Sequence, residues 1–246
     1  MNNTAFQIEQ GHFYAVGAGP GQADLLTLRA VEVIKKSSVI ICPRSASSKG
    51  SLALEIIKDF ISDQEIIEHV YPMSRNEDEI KDAWSRASQV ISGYCLQGRT
   101  VSQVTLGDPH IYSTCAYVLP LLERQLGAHK IHVIPGVSAF QASAAKFTLP
   151  LVTQEDRMML MPGTDMAEIE KVLTSCETLI LYKAGKNLTP LYELLRRNGL
   201  EKRARAVFNA EMPGREKLYA DLETALKDDP GYLACVIVYI GRRKWD

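Results

Sequence analysis

Leu106-Gly107-Asp108-Pro109-His110-Ile111-Tyr112-Ser113-Thr114 closes an apolar run over residues 101–106 and opens a helical pattern. It therefore stands where a strand hands over to a loop. At the carboxyl edge of a parallel α/β sheet, such loops face ligand. The stretch places a conformationally free glycine, a carboxylate and a rigid proline there together. Two further Gly/Pro loops follow predicted strands in the same way, Gly17-Ala18-Gly19-Pro20-Gly21 and Pro135-Gly136-Val137-Ser138-Ala139. Three such loops can converge on one ligand.

Working outward, the first half alternates strands and helices. Strands are predicted at residues 13–17, 39–42, 65–70, 101–106 and 131–134, with Pro43 stopping the second. Helices are predicted from Thr27, a capping residue, to about residue 36, then at 52–60, 76–96 and 113–126. The clearest is 76–96, where Ile80, Ala83, Trp84, Ala87, Val90, Ile91 and Tyr94 recur at helical spacing before Gly98 ends it. Short strands joined by helices imply right-handed crossovers and a doubly wound, mostly parallel sheet. The pattern restarts after Pro150, with strands at 158–161, 178–182, 205–208, 217–220 and 233–240. Helices are predicted at 166–175, 188–198 and 221–227. The last strands are joined by short connections, so this second sheet is expected to be mixed. The fold class is α/β, with two α/β domains, 1–138 carrying the five-stranded sheet and 139–246 the mixed one.

The chain has 246 residues and a formal net charge of -1, which gives no electrostatic reason for nucleic-acid binding. An anionic substrate would need a local basic patch. No apolar run approaches the roughly 18 residues of a membrane helix. Residues 1–12 lack the apolar core of a signal peptide. The five cysteines are odd in number and show no CxxC spacing, so neither a disulfide framework nor a zinc site is expected. A reducing cytoplasm fits them better. His129 and His132 straddle a loop-to-strand boundary and read as ordinary histidines, so no metal site is expected.

The loop at residues 17–21 admits several readings. It can be a tight turn. As a dinucleotide-binding loop it lacks the third glycine, since Gln22 stands near that place, and the second strand ends Cys42-Pro43-Arg44 without the acidic residue that holds a ribose diol. Arg44 suits a 2′-phosphate, which keeps an NADP-binding oxidoreductase open. The missing acidic residue also disfavours the common Rossmann-like methyltransferases.

Taken in order, Gly-x-Gly-Pro-Gly, Gly-Asp-Pro and Pro-Gly-Val-Ser-Ala resemble the tetrapyrrole methylase family. Leu25-Leu26-Thr27-Leu28-Arg29-Ala30, Leu149-Pro150-Leu151 and Ile237-Val238-Tyr239-Ile240-Gly241 extend the resemblance along the chain. Within the family, the precorrin-2 or cobalt-factor II C20-methyltransferases are the most similar branch. The pointers are Leu106-Gly107-Asp108-Pro109 with Ile111-Tyr112-Ser113-Thr114, the 43–51 loop followed by Ser51-Leu52-Ala53-Leu54, and Tyr71-Pro72-Met73-Ser74. Sister enzymes carry Gly-Gly-Asp-Pro instead.

The resemblance implies an enzyme of cobalamin biosynthesis that uses S-adenosylmethionine (SAM) and releases S-adenosylhomocysteine (SAH), with the active site in the cleft between the two domains. Carried over residue by residue, the implied SAM contacts are Pro20, Leu106, Gly107, Asp108, Ile111, Ser138 and Ala139. Tyr182 and Lys183 stand where the family has a Met-containing contact, here without a Met. Ala210 and Met212, flanking Glu211, fall near a later one, and Leu233 or Ala234 offers backbone groups to adenine. Asp108 can meet the ligand's cation or simply close an Asx-turn before Pro109. An electron-rich meso carbon needs no covalent protein nucleophile, and orientation for in-line transfer supplies about 7–11 kcal/mol. Asp108, His110 and Tyr112 are the candidates to take the proton afterwards. The substrate, a tetrapyrrole rich in carboxylates, needs cations. Arg44, Ser45 and Lys49 in the 43–51 loop and Arg75 are the candidates to bind it, with Lys183 and Lys186 beside a second-domain strand end. The family also suggests a homodimer. Other readings are a family member acting at another ring carbon or in diphthamide synthesis, and a non-catalytic nucleotide-binding protein.

Overall fold

All five residues of β1 (Phe13–Gly17) are buried, as a strand covered on both faces must be. The computed structural model describes residues 6–45, 50–71, 76–229 and 231–241. It places β1 beside β4 (Val101–Thr105) and β5 (Ile131–Ile134), with Val16 level with Val104 and Ile134. With β2 (Val39–Ser45) and β3 (Glu65–Tyr71), these strands make one sheet in the order β3-β2-β4-β1-β5. Every pairing in it is parallel. The carboxyl ends of all five strands therefore lie along one edge, and the three strands before the Gly/Pro loops are adjacent.

Helices cover both faces of this sheet. α1 (Leu28–Lys36) and α2 (Leu52–Ile57) bring Ala30, Val33, Ile34, Ile56 and Ile57 against Tyr14, Val16, Ile40 and Val104. α3 (Glu77–Leu96) and α4 (Cys115–Leu126) bring Ala87, Ile91, Val118 and Leu122 against Phe13, Ala15, Ile41 and Val101. Thr27 Oγ1 accepts from the Ala30 amide at 3.1 Å, and the Asn76 side chain accepts from Asp78 and Glu79. Each cap contributes about 1 kcal/mol.

The end of β2 differs from the sequence reading. β2 continues through Pro43 to Ser45, paired with β3 as far as Tyr71, whereas its pairing with β4 stops at Ile41. Proline is tolerated where a strand has lost a neighbour on one side. The Pro43 carbonyl accepts the Ser51 hydroxyl at 2.8 Å.

Residues 1–138 form one compact unit and residues 139–246 a second. Its strands are β6 (Met158–Pro162), β7 (Thr178–Tyr182), β8 (Ala204–Phe208), β9 (Lys217–Tyr219) and β10 (Ala234–Tyr239), in the order β6-β7-β10-β8-β9. The sheet is mixed: β6 and β7 pair in parallel, and β10 runs antiparallel to β7 and β8. The ends of β6, β7 and β8 and the start of β10 thus share an edge. α6 (Met166–Val172), α7 (Leu188–Arg197) and α8 (Leu222–Ala225) pack on one face. α6 and α8 stop short of their predicted ends because three-residue turns, Ser175 to Val172 and Lys227 to Thr224, replace the helical bonds. The other face meets Phe140 and Ala144 from α5 (Ala139–Ala145), a helix the sequence reading does not contain, together with Leu149 and Leu151. No helix among the described residues is long and apolar enough to cross a membrane.

Candidate active site

The three loops after β1, β4 and β5 are stitched together through main-chain atoms. Gly19 and Gly107 form an isolated antiparallel bridge, Gly107 N–H donating to Gly19 C=O at 2.7 Å and Gly19 N–H to Gly107 C=O at 3.2 Å. Both take positive φ, +75° and +71°, a region open to glycine without strain. A Cβ on Gly17 would lie 2.6 Å from both the Gly107 oxygen and the Gly136 nitrogen, and one on Gly136 would collide with Gly107. A Cβ on Gly107 meets nothing within 4 Å, so its main chain presents an open face.

Asp108 closes the junction from the side chain. Oδ1 accepts from the His110 amide at 2.9 Å, the Asx-turn, and Oδ2 accepts from the Gly136 amide at 3.1 Å. One carboxylate thus ties the β4 loop to the β5 loop. Charge-assisted acceptance of this kind is stronger than a neutral hydrogen bond. At the loop's far end, Ser113 Oγ donates to Thr105 Oγ1 at 3.0 Å and accepts from the Cys115 amide at 3.1 Å. Between them Tyr112, 45% exposed, adopts φ 51°, and His110 is also exposed.

The structure brings Pro20, Leu106, Gly107, Asp108, Ile111 and Ser138 to this one edge, and Ala139 follows Ser138 directly as the first residue of α5. Arg44 and Ser45 end β2 on the same edge of the sheet. Arg44 Nε is paired with Glu68 of β3 at 3.6 Å. Lys49 and Arg75 lie outside the described residues.

The candidates of the second unit gather in the same manner. Asn209 N–H donates to Leu233 C=O at 2.8 Å, which places Ala210 next to the start of β10. Gly163 N–H donates to Tyr182 C=O at 2.6 Å, and the Tyr182 hydroxyl accepts from the Phe140 amide at 2.8 Å. Ala210, Met212 and Ala234 are buried. Lys183, Asn209 and Glu211 have φ of 58°, 51° and 61°. With Tyr112, four of the five non-glycine residues at positive φ among the described residues stand at the two strand-end edges where the candidates lie. Held strain of this kind gathers at ligand sites.

Burial pushes the Cys42 and Cys115 thiols up to about 12, so neither offers a thiolate at neutral pH. His132 packs in the fold, stacking on Tyr14 at 4.7 Å with its Nε2 2.9 Å from His12 Nδ1; burial first, then His12, lowers its pKa. Sequence reasoning anticipates the Asx-turn but not the Asp108–Gly136 bond, which spans 28 residues. The Ser113–Thr105 contact is also missed, although a serine two residues before a helix is a local hint of it.

Known proteins resemble this chain in sequence and in fold. A Methanocaldococcus jannaschii protein named probable cobalt-precorrin-2 C(20)-methyltransferase is 35% identical over 197 residues, 78% of this chain and 82% of that one. The Salmonella typhimurium cobalt-precorrin-2 C(20)-methyltransferase is 28% identical over 240 residues, 96% and 98% of the two chains. The structure of a Thermus thermophilus uroporphyrin-III C-methyltransferase complexed with SAH superposes with a TM-score of 0.61 at 22% identity, covering 92% of this chain and 96% of that one. The profile of the tetrapyrrole (corrin/porphyrin) methylases matches residues 12–226, from the residue before β1 to the one after α8, and the chain belongs to that family.

Proposed function

We propose that the protein transfers the methyl group of SAM to C20 of a precorrin-2-type tetrapyrrole, free or carrying cobalt, in cobalamin biosynthesis. The relatives at 35% and 28% identity, both named for this reaction on cobalt-precorrin-2, support the choice of carbon. The observation that carries the chemistry is the glycine junction of three adjacent strand ends, with the open main-chain face at Gly107. Such a face gives SAM room to lie directly against the loops. SAM supplies an electrophilic methyl on a sulfonium.

The chain's own work is to hold and orient. Pro20, Leu106, Gly107, Ile111, Ser138 and Ala139 supply main chain and apolar contact, and Tyr182, Lys183, Ala210, Met212 and Ala234 are assigned to the same ligand. Orientation for in-line attack is worth about 7–11 kcal/mol. Asp108 has both oxygens engaged by amides and fixes the loops. That leaves the exposed His110 and Tyr112 as candidates to accept the proton from the methylated carbon. Arg44 and Ser45, with Lys49 and Arg75, are assigned to the ring's carboxylates.

Incubation with SAM and precorrin-2, with and without cobalt, tests the proposal by mass and NMR location of the new methyl. C20 methylation is expected, and addition at C11 or C17, or none, refutes it. Calorimetry should show SAM and SAH binding with no response to NADPH. Five free, buried thiols support a reducing cytoplasmic setting. The homodimer implied by the family is tested by light scattering, with twice the mass of one chain expected.

A further inference from the structure

We propose that Lys146 is a positioning residue for the methyl donor: its ammonium gathers Glu211 and Glu216 and so fixes the main chain of Ala210 and Met212. The proposal rests on the reading above that those two residues contact SAM.

Lys146 follows α5, far from both glutamates in sequence. Its Nζ lies 2.6 Å from Glu211 Oε1 and 3.2 Å from Glu216 Oε2. Glu216 Oε1 accepts the Glu211 amide at 2.7 Å. Lysine, Glu211 side chain, Glu211 amide and Glu216 therefore close a ring of charge-assisted contacts. The three side chains are only 22%, 14% and 24% exposed, so the attraction is less screened than at a surface pair.

The turn after β8 needs such an anchor. Asn209 and Glu211 both hold positive φ, which asparagine tolerates but glutamate rarely adopts unless its surroundings hold it there. A glycine at 211 would take that conformation freely. The chain instead carries a glutamate whose carboxylate reaches Lys146. Asn209 N–H to Leu233 C=O and Met212 N–H to Asn209 C=O fix the turn from within, and Lys146 fixes it from α5. Hydrogen bonding to Glu211 first, then to Glu216, raises the Lys146 pKa, so the charge persists across the neutral range. Without the ammonium, two carboxylates would be left close together and would push the turn open.

Calorimetric titration of the full chain with SAH tests this. Lys146→Met is expected to raise the SAH Kd by about tenfold or more, and Lys146→Arg to stay within about threefold of wild type. In the methylation assay, Lys146→Met should raise the KM for SAM while the tetrapyrrole KM and the kcat at saturating SAM hold. Lys146→Met that unfolds more easily in urea yet binds SAH as wild type overturns the proposal. In a Glu211→Gly background, where the turn keeps its φ without the Lys146–Glu211 pair and Glu216 alone faces position 146, Lys146→Met should change the SAH Kd by less than about threefold. An undiminished effect there overturns it, and this arm decides the matter should the single variant fold poorly. A wild-type chain that does not bind SAH overturns the donor reading itself and this proposal with it.

Discussion

Replacing Gly17 by alanine isolates the contact on which the candidate site depends. Gly17 is not among the glycines at positive φ, so the new side chain carries no backbone penalty and its whole effect is steric. The added methyl would sit 2.6 Å from the Gly107 oxygen, 2.6 Å from the Gly136 nitrogen and 2.7 Å from the Gly136 Cα. All three are main-chain atoms, which cannot swing aside as a side chain would. To reach ordinary contact the loops must part by about 0.8 Å, an overpacking that costs about 1–3 kcal/mol. The same parting stretches the Gly19–Gly107 bridge and the Asp108–Gly136 bond. Displacement on that scale at a binding site lowers affinity by about 10- to 100-fold. Urea unfolding and SAH calorimetry measure the two effects. Gly93→Ala serves as the control, since a Cβ there meets nothing within 4 Å and α3 should gain about 1 kcal/mol. A Gly17→Ala protein with wild-type stability and SAH affinity would refute the stitched junction.

Asp108→Asn keeps one acceptor oxygen but turns an amide NH2 toward a backbone N–H, which should cost about 1–3 kcal/mol and weaken SAH about tenfold in calorimetry. Arg44→Gln should raise the tetrapyrrole KM several-fold with the SAH Kd within about twofold of wild type, and Glu68→Gln, which releases Arg44 from its ion pair, should not raise that KM. Glu177 is held down to a pKa of about 2 by hydrogen bonds from the Arg157 side chain and amide. A depressed carboxyl stabilises the fold fully above its unfolded pKa of about 4.3 and loses that contribution as pH falls toward 2. Glu177→Gln should therefore flatten the acid limb of the stability curve between those limits in pH-dependent urea unfolding.

Local chemistry made much of the fold legible. Thr27 announced its helix as a cap, and the apolar stripe of α3 needed no tertiary knowledge. The three loops were legible because glycine and proline punctuate strand ends. β2 beyond Pro43 was not, because a proline breaks a ladder only on the side it faces, and that depends on where β4 ends. α5 was hidden in a run of alanine and serine with too few large side chains to show a period. At the site, the Asx half of Asp108 is a local event, whereas its Gly136 half and the Lys146 ring join residues that only the folded chain makes neighbours.

The walls of the first unit's junction are peptide groups rather than side chains, and that sets how the region tolerates change. Away from Asp108, whose carboxylate bonds the Gly136 amide, exchanging one side-chain group for another nearby leaves peptide donors and acceptors in place. Adding a single carbon to Gly17 or Gly136 disrupts them whatever its polarity. In a saturation scan these two positions should reject alanine as firmly as aspartate, the mark of a surface selected by shape.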